Sequence, residues 1–193
     1  MSHHAKTGHN LKTRAHENHI LYNRLIDYAD GTASYALDLP NGGLSFIIGN
    51  EIQQGPSTGN STIVSYGAEG LSNPSSNVYV VNNTIVNDRS AGNFLRIQSG
   101  AKAEVINNLF IGPGTPVNGD ANETTNLVAN GDAVVDRDGF NFLLSVGSPA
   151  INAGTDPGSA EGVDLTPVNE YVQPTNTKNR SISGVIDIGA HEL

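Results

Sequence analysis

Val80-Val81-Asn82-Asn83-Thr84-Ile85-Val86 and Val105-Ile106-Asn107-Asn108-Leu109-Phe110-Ile111 are the two clearest copies of one pattern. Each is a short β-branched, apolar run about a central Asn, bounded by Gly, Asn, Asp or Pro, and neither has helical periodicity. Ile20-Leu21-Tyr22-Asn23-Arg24-Leu25-Ile26 and Ile47-Ile48-Gly49-Asn50-Glu51-Ile52-Gln53 repeat it, and Thr124-Thr125-Asn126-Leu127-Val128 does so more weakly. The central Asn falls at positions 23, 50, 83, 108 and 126, at intervals of 27, 33, 25 and 18 residues. A fixed pattern at variable intervals is what stacked coils with turn insertions produce.

A second strand set interleaves with the first: 10–14, 36–40, 63–67 and 94–98. Two sets in alternation, with one period per coil, predict a parallel β-helix, an all-β solenoid of about four to five coils. A single coil cannot bury its own apolar face, whereas a stack shares one continuous core. A sandwich of hairpins would need two-residue turns and strands every 8–12 residues, and the repeat here is far longer. Asn at one position in successive coils would hydrogen-bond along the axis as a ladder, and Asn tolerates a left-handed corner. These residues are therefore read as structural.

Composition agrees. The chain has 193 residues, among them 23 Asn, 22 Gly and 9 Pro, with only 15% charged, and Gly and Asn are poor helix formers. Helix bundles and coiled coils are disfavoured, while a hydrophobic fraction of 37% suffices for one core. With no Cys there is no disulfide framework or thiolate chemistry. No apolar run reaches the ~18 residues of a membrane helix, so no membrane partner is expected. The net charge of −9 argues against nucleic acid, because phosphate contacts need a basic face. Residues 1–24 depart from this balance. Lys6, Lys12, Arg14 and Arg24 stand there against Glu17 alone, with five of the six His residues. Such a patch could meet an acidic polysaccharide.

After about residue 112 the pattern breaks. Coils are expected over 1–112, and a last coil with a loop-rich module packed on the helix over 113–193. The run Ser148-Pro149-Ala150-Ile151-Asn152-Ala153-Gly154 and the terminal Asp187-Ile188-Gly189-Ala190-His191-Glu192 resemble the C-terminal module of bacterial right-handed parallel β-helix repeat proteins. These are relatives of pectate-lyase-like polysaccharide enzymes, whose coils the segments at Asn83 and Asn108 also resemble. The resemblance spans nearly the whole chain and implies the fold more than an activity, since the fold hosts lyases, hydrolases, epimerases, adhesins and tailspikes. It also implies an extracellular or cell-surface setting, although no signal peptide is visible. The first strand follows barely eight residues with no cap, so the chain is expected to be the C-terminal portion of a longer protein. An uncapped first coil could pair with a second copy.

Side chains alternate in and out along a strand. Leu11, Leu37, Val64 and Leu95 form an inward column, and Lys12, Asp38, Ser65 and Arg96 the next, outward one. Arg14 lies two positions on, and His9, His16, Tyr35 and Glu69 fall near the strand ends. β-Elimination on a uronate needs a cation on the carboxylate, a base for the C5 proton and an acid for the leaving oxygen. The family resemblance implies Lys12 as base and Arg14 as acid or carboxylate clamp, with His9 and Tyr66 as further catalytic candidates. Asp38, Ser65, Glu69 and Arg96 would line the substrate, and Asp38 with Glu69 would hold a Ca²⁺, the one cofactor suggested. The sequence shows no dense carboxylate group near Lys12. A hydrolase would instead use the Asp38–Glu69 pair. The alternative to an enzyme is a noncatalytic surface, adhesion or tailspike-like β-helix. His3, His4 and His9 could take a transition metal, and Asp132, Asp136 and Asp138 suggest a Ca²⁺ loop but lack its Gly and distal Glu.

Overall fold

The computed structural model describes residues 1–193. After a leading strand β1 (Ser2–His3), the chain makes five coils of three strands each. The first is β2 (Leu11–Lys12), β3 (Glu17–Leu21) and β4 (Arg24–Ile26), and the second β5 (Leu37–Leu39), β6 (Leu44–Ile48) and β7 (Glu51–Gln54). The third is β8 (Thr62–Tyr66), β9 (Asn77–Val81) and β10 (Thr84–Asn87), and the fourth β11 (Asn93–Ile97), β12 (Lys102–Ile106) and β13 (Leu109–Ile111). The fifth is β14 (Thr115–Asn118), β15 (Asn122–Thr124) and β16 (Leu127–Ala129). Like strands of successive coils pair in parallel and give three sheets: β2-β5-β8-β11-β14, β3-β6-β9-β12-β15 and β1-β4-β7-β10-β13-β16. We call them the first, second and third sheets. The protein is a parallel β-helix.

Each seven-residue segment read above as a single strand is in fact two strands meeting at a corner. Val80-Val81 ends β9 and Thr84 begins β10, with Asn82 and Asn83 making the bend between them. The left-handed backbone conformation belongs to the residue before the ladder Asn, not to that Asn itself. It falls at Tyr22, Gly49, Asn82, Asn107 and Thr125, with φ between 49° and 66°. Four of the five corners carry a side chain in this conformation; at Gly49 a β-carbon would meet the Tyr22 ring at 2.7 Å, so glycine there makes room for the ring.

The ladder runs through every corner of this edge. The backbone N–H of Asn23 donates to Asn50 Oδ1 at 2.8 Å, Asn50 to Asn83 at 2.9 Å, Asn83 to Asn108 at 3.0 Å and Asn108 to Asn126 at 2.9 Å. Each Asn from 50 onward returns its Nδ2 to the carbonyl of Ile20, Ile47, Val80 or Val105 in the preceding coil. Buried corners thereby satisfy the polar groups that a tight bend would orphan.

Inside the coils lies one core, including Leu37, Ile47, Ile85, Phe94, Leu95, Val105 and Phe110. Two further apolar clusters lie outside it. Hairpin β17 (Val134–Asp136) and β18 (Asn141–Leu144) packs Val134, Phe142 and Leu144 on Ile26, Val86, Leu109 and Ile111 of the third sheet. Hairpin β19 (Ser159–Ala160) and β20 (Val163–Asp164) leads into Leu165, which sits on Phe46, Ile48, Tyr79, Val81 and Ile106 of the second. A last hairpin, β21 (Asn169–Val172) and β22 (Asn176–Asn179), precedes the C-terminal strap, where Asn82 Nδ2 donates to the Asp187 carbonyl at 2.8 Å. The C-terminal segment thus covers the outer faces of the second and third sheets. Neither outer cluster includes a residue of the first sheet.

Candidate functional site

The bare outer face of the first sheet carries the outward column. Lys12 pairs in register with Asp38, Asp38 with Ser65, Ser65 with Arg96, and Arg96 with Asn118. The structure also brings His9, Arg14 and Glu69 to this cluster. Lys12 Nζ lies 2.9 Å from Asp38 Oδ2 and 3.2 Å from Glu69 Oε1. Arg14 Nη2 donates to both Glu69 oxygens, at 2.9 and 2.7 Å, and Nη1 donates to Asn41 Oδ1 at 2.5 Å. His9 stacks on Tyr35 with ring centroids 5.2 Å apart, and its Nδ1 accepts the Tyr35 backbone N–H at 3.1 Å. That contact leaves the proton on Nε2, which faces Asp38 Oδ2 at 3.6 Å.

These contacts set the protonation states. The hydrogen bond to Asp38 raises the Lys12 pKa against a smaller desolvation effect, with Glu69 adding to the rise. Arg14 and then Lys12 hold Glu69 below the usual carboxylate range. Burial lowers His9, and Lys12 lowers it further against the pull of Asp38. A Lys held protonated between two carboxylates is a poor base for C5. Two cations and two carboxylates also compensate each other here, so the cluster offers little charge to a uronate. Arg96 makes no ion pair. It stands three strand spacings from Lys12, roughly 14 Å, too far for both to act on one sugar.

Tyr66 is corrected. It lies inward, 1% exposed, with its hydroxyl donating to the Gly43 carbonyl at 2.7 Å, and burial pushes the phenol up. Alternation in β8 sends Ser65 out and Tyr66 in, so Tyr66 is a core residue and takes no part in the outer cluster.

A Ca²⁺ does not fit the residues present. The Lys12 ammonium already bridges Asp38 and Glu69, and no three His, Asp or Glu side chains are placed so that they could hold one metal ion. Ca²⁺ takes six to eight oxygens. His3 and His4 sit apart from His9, against Tyr28, with His4 Nε2 2.9 Å from Asp30. Among the three acidic residues near 136, Asp136 Oδ1 accepts the Gly139 N–H at 2.9 Å, a turn contact.

Two buried polar atoms of the column have no hydrogen-bond partner, Asp38 Oδ1 and Ser65 Oγ. Both residues are essentially unexposed and adjacent in register.

Sequence reasoning missed a second charged cluster, where the C-terminal strap meets the third sheet. Buried Arg24 pairs with Glu51 through Nη1, and its guanidinium lies 5.2 Å from the centroid of the Phe142 ring. His191 sits between two carboxylates, with Nε2 2.6 Å from Glu51 and Nδ1 3.3 Å from Glu170. Lys178 Nζ lies 2.9 Å from Glu170. Despite burial, the two carboxylates raise the His191 pKa, while His191, the Glu192 N–H and Lys178 outweigh desolvation and hold Glu170 at about 2. The one available signal was the His191-Glu192 pair closing the terminal run Val185-Ile186-Asp187-Ile188-Gly189-Ala190.

Comparison with protein-family models, curated proteins and solved structures found no match to this chain. Its class therefore rests on the fold itself, a parallel β-helix with one bare sheet.

Proposed function

We propose that this is a polysaccharide-binding β-helix module of the pectate-lyase-like kind, and that a chain of acidic sugars lies along the first sheet. One observation carries the reading: the C-terminal segment covers two of the three sheets and leaves uncovered the one with the aligned row Lys12, Asp38, Ser65, Arg96 and Asn118, of which Lys12, Arg96 and Asn118 reach solvent and Asp38 and Ser65 are buried between them. A row of polar side chains on parallel strands suits a repeating ligand. The unpaired Arg96 suits its carboxylates, and the exposed Asn118 amide suits its hydroxyls. Binding fits these states better than elimination, because the Lys12 proton is held tightly.

A second reading, a polysaccharide lyase, draws on one feature: His9 stays neutral at pH 7 beside Lys12 and Arg14. Affinity electrophoresis in alginate, pectate or hyaluronan gels tests binding, and absorbance near 235 nm on the same polymers tests elimination. Retardation without absorbance supports the module; absorbance lost on His9→Ala supports the lyase. Absence of both removes the polysaccharide reading. Self-pairing through the edge strands β1, β2 and β3 belongs to the same proposal, and a mass that rises with concentration in light scattering would support it.

A further inference from the structure

Between the third sheet and the C-terminal hairpins lies a cavity of about 480 Å³, on a different side of the β-helix from the polysaccharide face. Its walls include Arg24, Phe140, Phe142, Tyr171, Lys178 and His191. Small-molecule sites typically measure about 300–1,000 Å³ and combine apolar walls with a few convergent polar groups.

Arg24 lies in this wall and is 1% exposed. Nη1 meets Glu51 and Nη2 donates to the Phe140 carbonyl at 2.6 Å, yet buried Nε has no partner at all. With that N–H unpaired, the guanidinium's charge is incompletely met, which favours an oxyanion in the cavity that Arg24 lines. The charges point the same way. At pH 6.5 and below, where its raised pKa keeps His191 charged, Arg24, Lys178 and His191 stand against Glu51 and Glu170, which leaves one positive charge over. A monoanion balances that sum, and a dianion overshoots it. Phe142 and Tyr171 supply flat apolar surface beside the cations.

We propose that this cavity binds a small organic monoanion, a carboxylate on a flat apolar body, with Arg24 and Lys178 taking the carboxylate and Phe142 and Tyr171 the body. Nothing in it depends on the polysaccharide reading, since no residue is shared with the first sheet.

Benzoate is the probe and benzyl alcohol its neutral counterpart, each titrated calorimetrically into the intact chain. Benzoate should bind saturably at one site, at least tenfold more tightly than benzyl alcohol. Lys178→Gln should weaken it at least fivefold; the Lys178 side chain is 56% exposed, so this variant keeps the fold. Arg24→Gln should abolish binding, and where that buried change prevents folding, Phe142→Leu replaces it with an expected several-fold loss. Arg96→Gln on the far sheet should leave benzoate affinity unchanged. No saturable binding, equal affinity for the two probes, or indifference to Lys178→Gln would each overturn the proposal.

Discussion

His191 Nε2 lies 2.6 Å from Glu51 Oε1, across 140 residues of chain, and fastens the terminal strap to the second coil. The groups around it come from four elements: Arg24 on β4, Glu51 on β7, Glu170 on β21 and Lys178 on β22. The pKa of His191 is raised from 6.5, so its contribution is fully present below pH 6.5 and disappears as pH rises through the folded value. Glu170 is lowered from 4.5 to about 2, so its contribution is full above pH 4.5 and lost as pH falls towards 2. Thermal stability should therefore peak between these limits. His191→Asn should cost about 3–5 kcal/mol near pH 6, the usual penalty for breaking a buried pair, and should flatten the alkaline limb. Melting curves from pH 3 to 10 check this; an unchanged alkaline slope in the variant would remove His191 as its source.

Asn83 is the middle rung of the ladder. Its side chain accepts the Asn50 N–H at 2.9 Å and donates to the Ile47 carbonyl at 2.8 Å. Asn83→Ala strands both groups where water does not reach, and should cost roughly 2–6 kcal/mol at 1–3 per orphaned group. Asn126 is only partly buried at the end of the row, so solvent can replace what Asn126→Ala removes, and about 1 kcal/mol is expected. Urea midpoints compare the two; equal losses would mean that the ladder does not derive its strength from burial.

The ladder was legible because each rung uses the same residue at the same point of a local pattern, and local patterns survive in sequence. The column Lys12–Asp38–Ser65–Arg96 was legible for the same reason, since a period of two fixes which side chains share a face. The third strand of each coil was hidden, because a two-residue corner such as Asn82-Asn83 interrupts neither apolarity nor β-branching. The His191 cluster was hidden more deeply. It joins Arg24, Glu51, Glu170 and Lys178 through the path of an irregular segment, and no periodicity records that path. What covers a sheet was equally out of reach, so the bareness of the first sheet emerged only from the structure.

Tyr66→Phe separates a core role from a catalytic one. The hydroxyl donates to Gly43, whose carbonyl keeps a second hydrogen bond from Ser45 Oγ at 2.8 Å. A loss of about 1 kcal/mol of stability is expected, typical of one net hydrogen bond. Polysaccharide binding and any 235 nm activity should be unchanged. A large loss of activity with wild-type stability would return Tyr66 to the functional set.

Arg96 gives the sharpest test of the bare sheet. Lys12 and Arg14 are each tied to carboxylates, so replacing either alters the local network as well as any ligand contact. Arg96 makes no ion pair, and substitutions away from buried or paired groups usually stay within about 0.5 kcal/mol. Arg96→Gln should therefore leave the urea midpoint where it was. If sugar carboxylates pass over this column, the same change removes an uncompensated positive charge from their path. Affinity for alginate or pectate should fall several-fold at low salt, and the difference from wild type should shrink as ionic strength rises, because screening weakens exposed charge contacts. Arg96→Lys should recover most of the loss, since it restores the charge. Equal binding by wild type and Arg96→Gln at low salt would mean that acidic sugars, if bound at all, do not follow the first sheet.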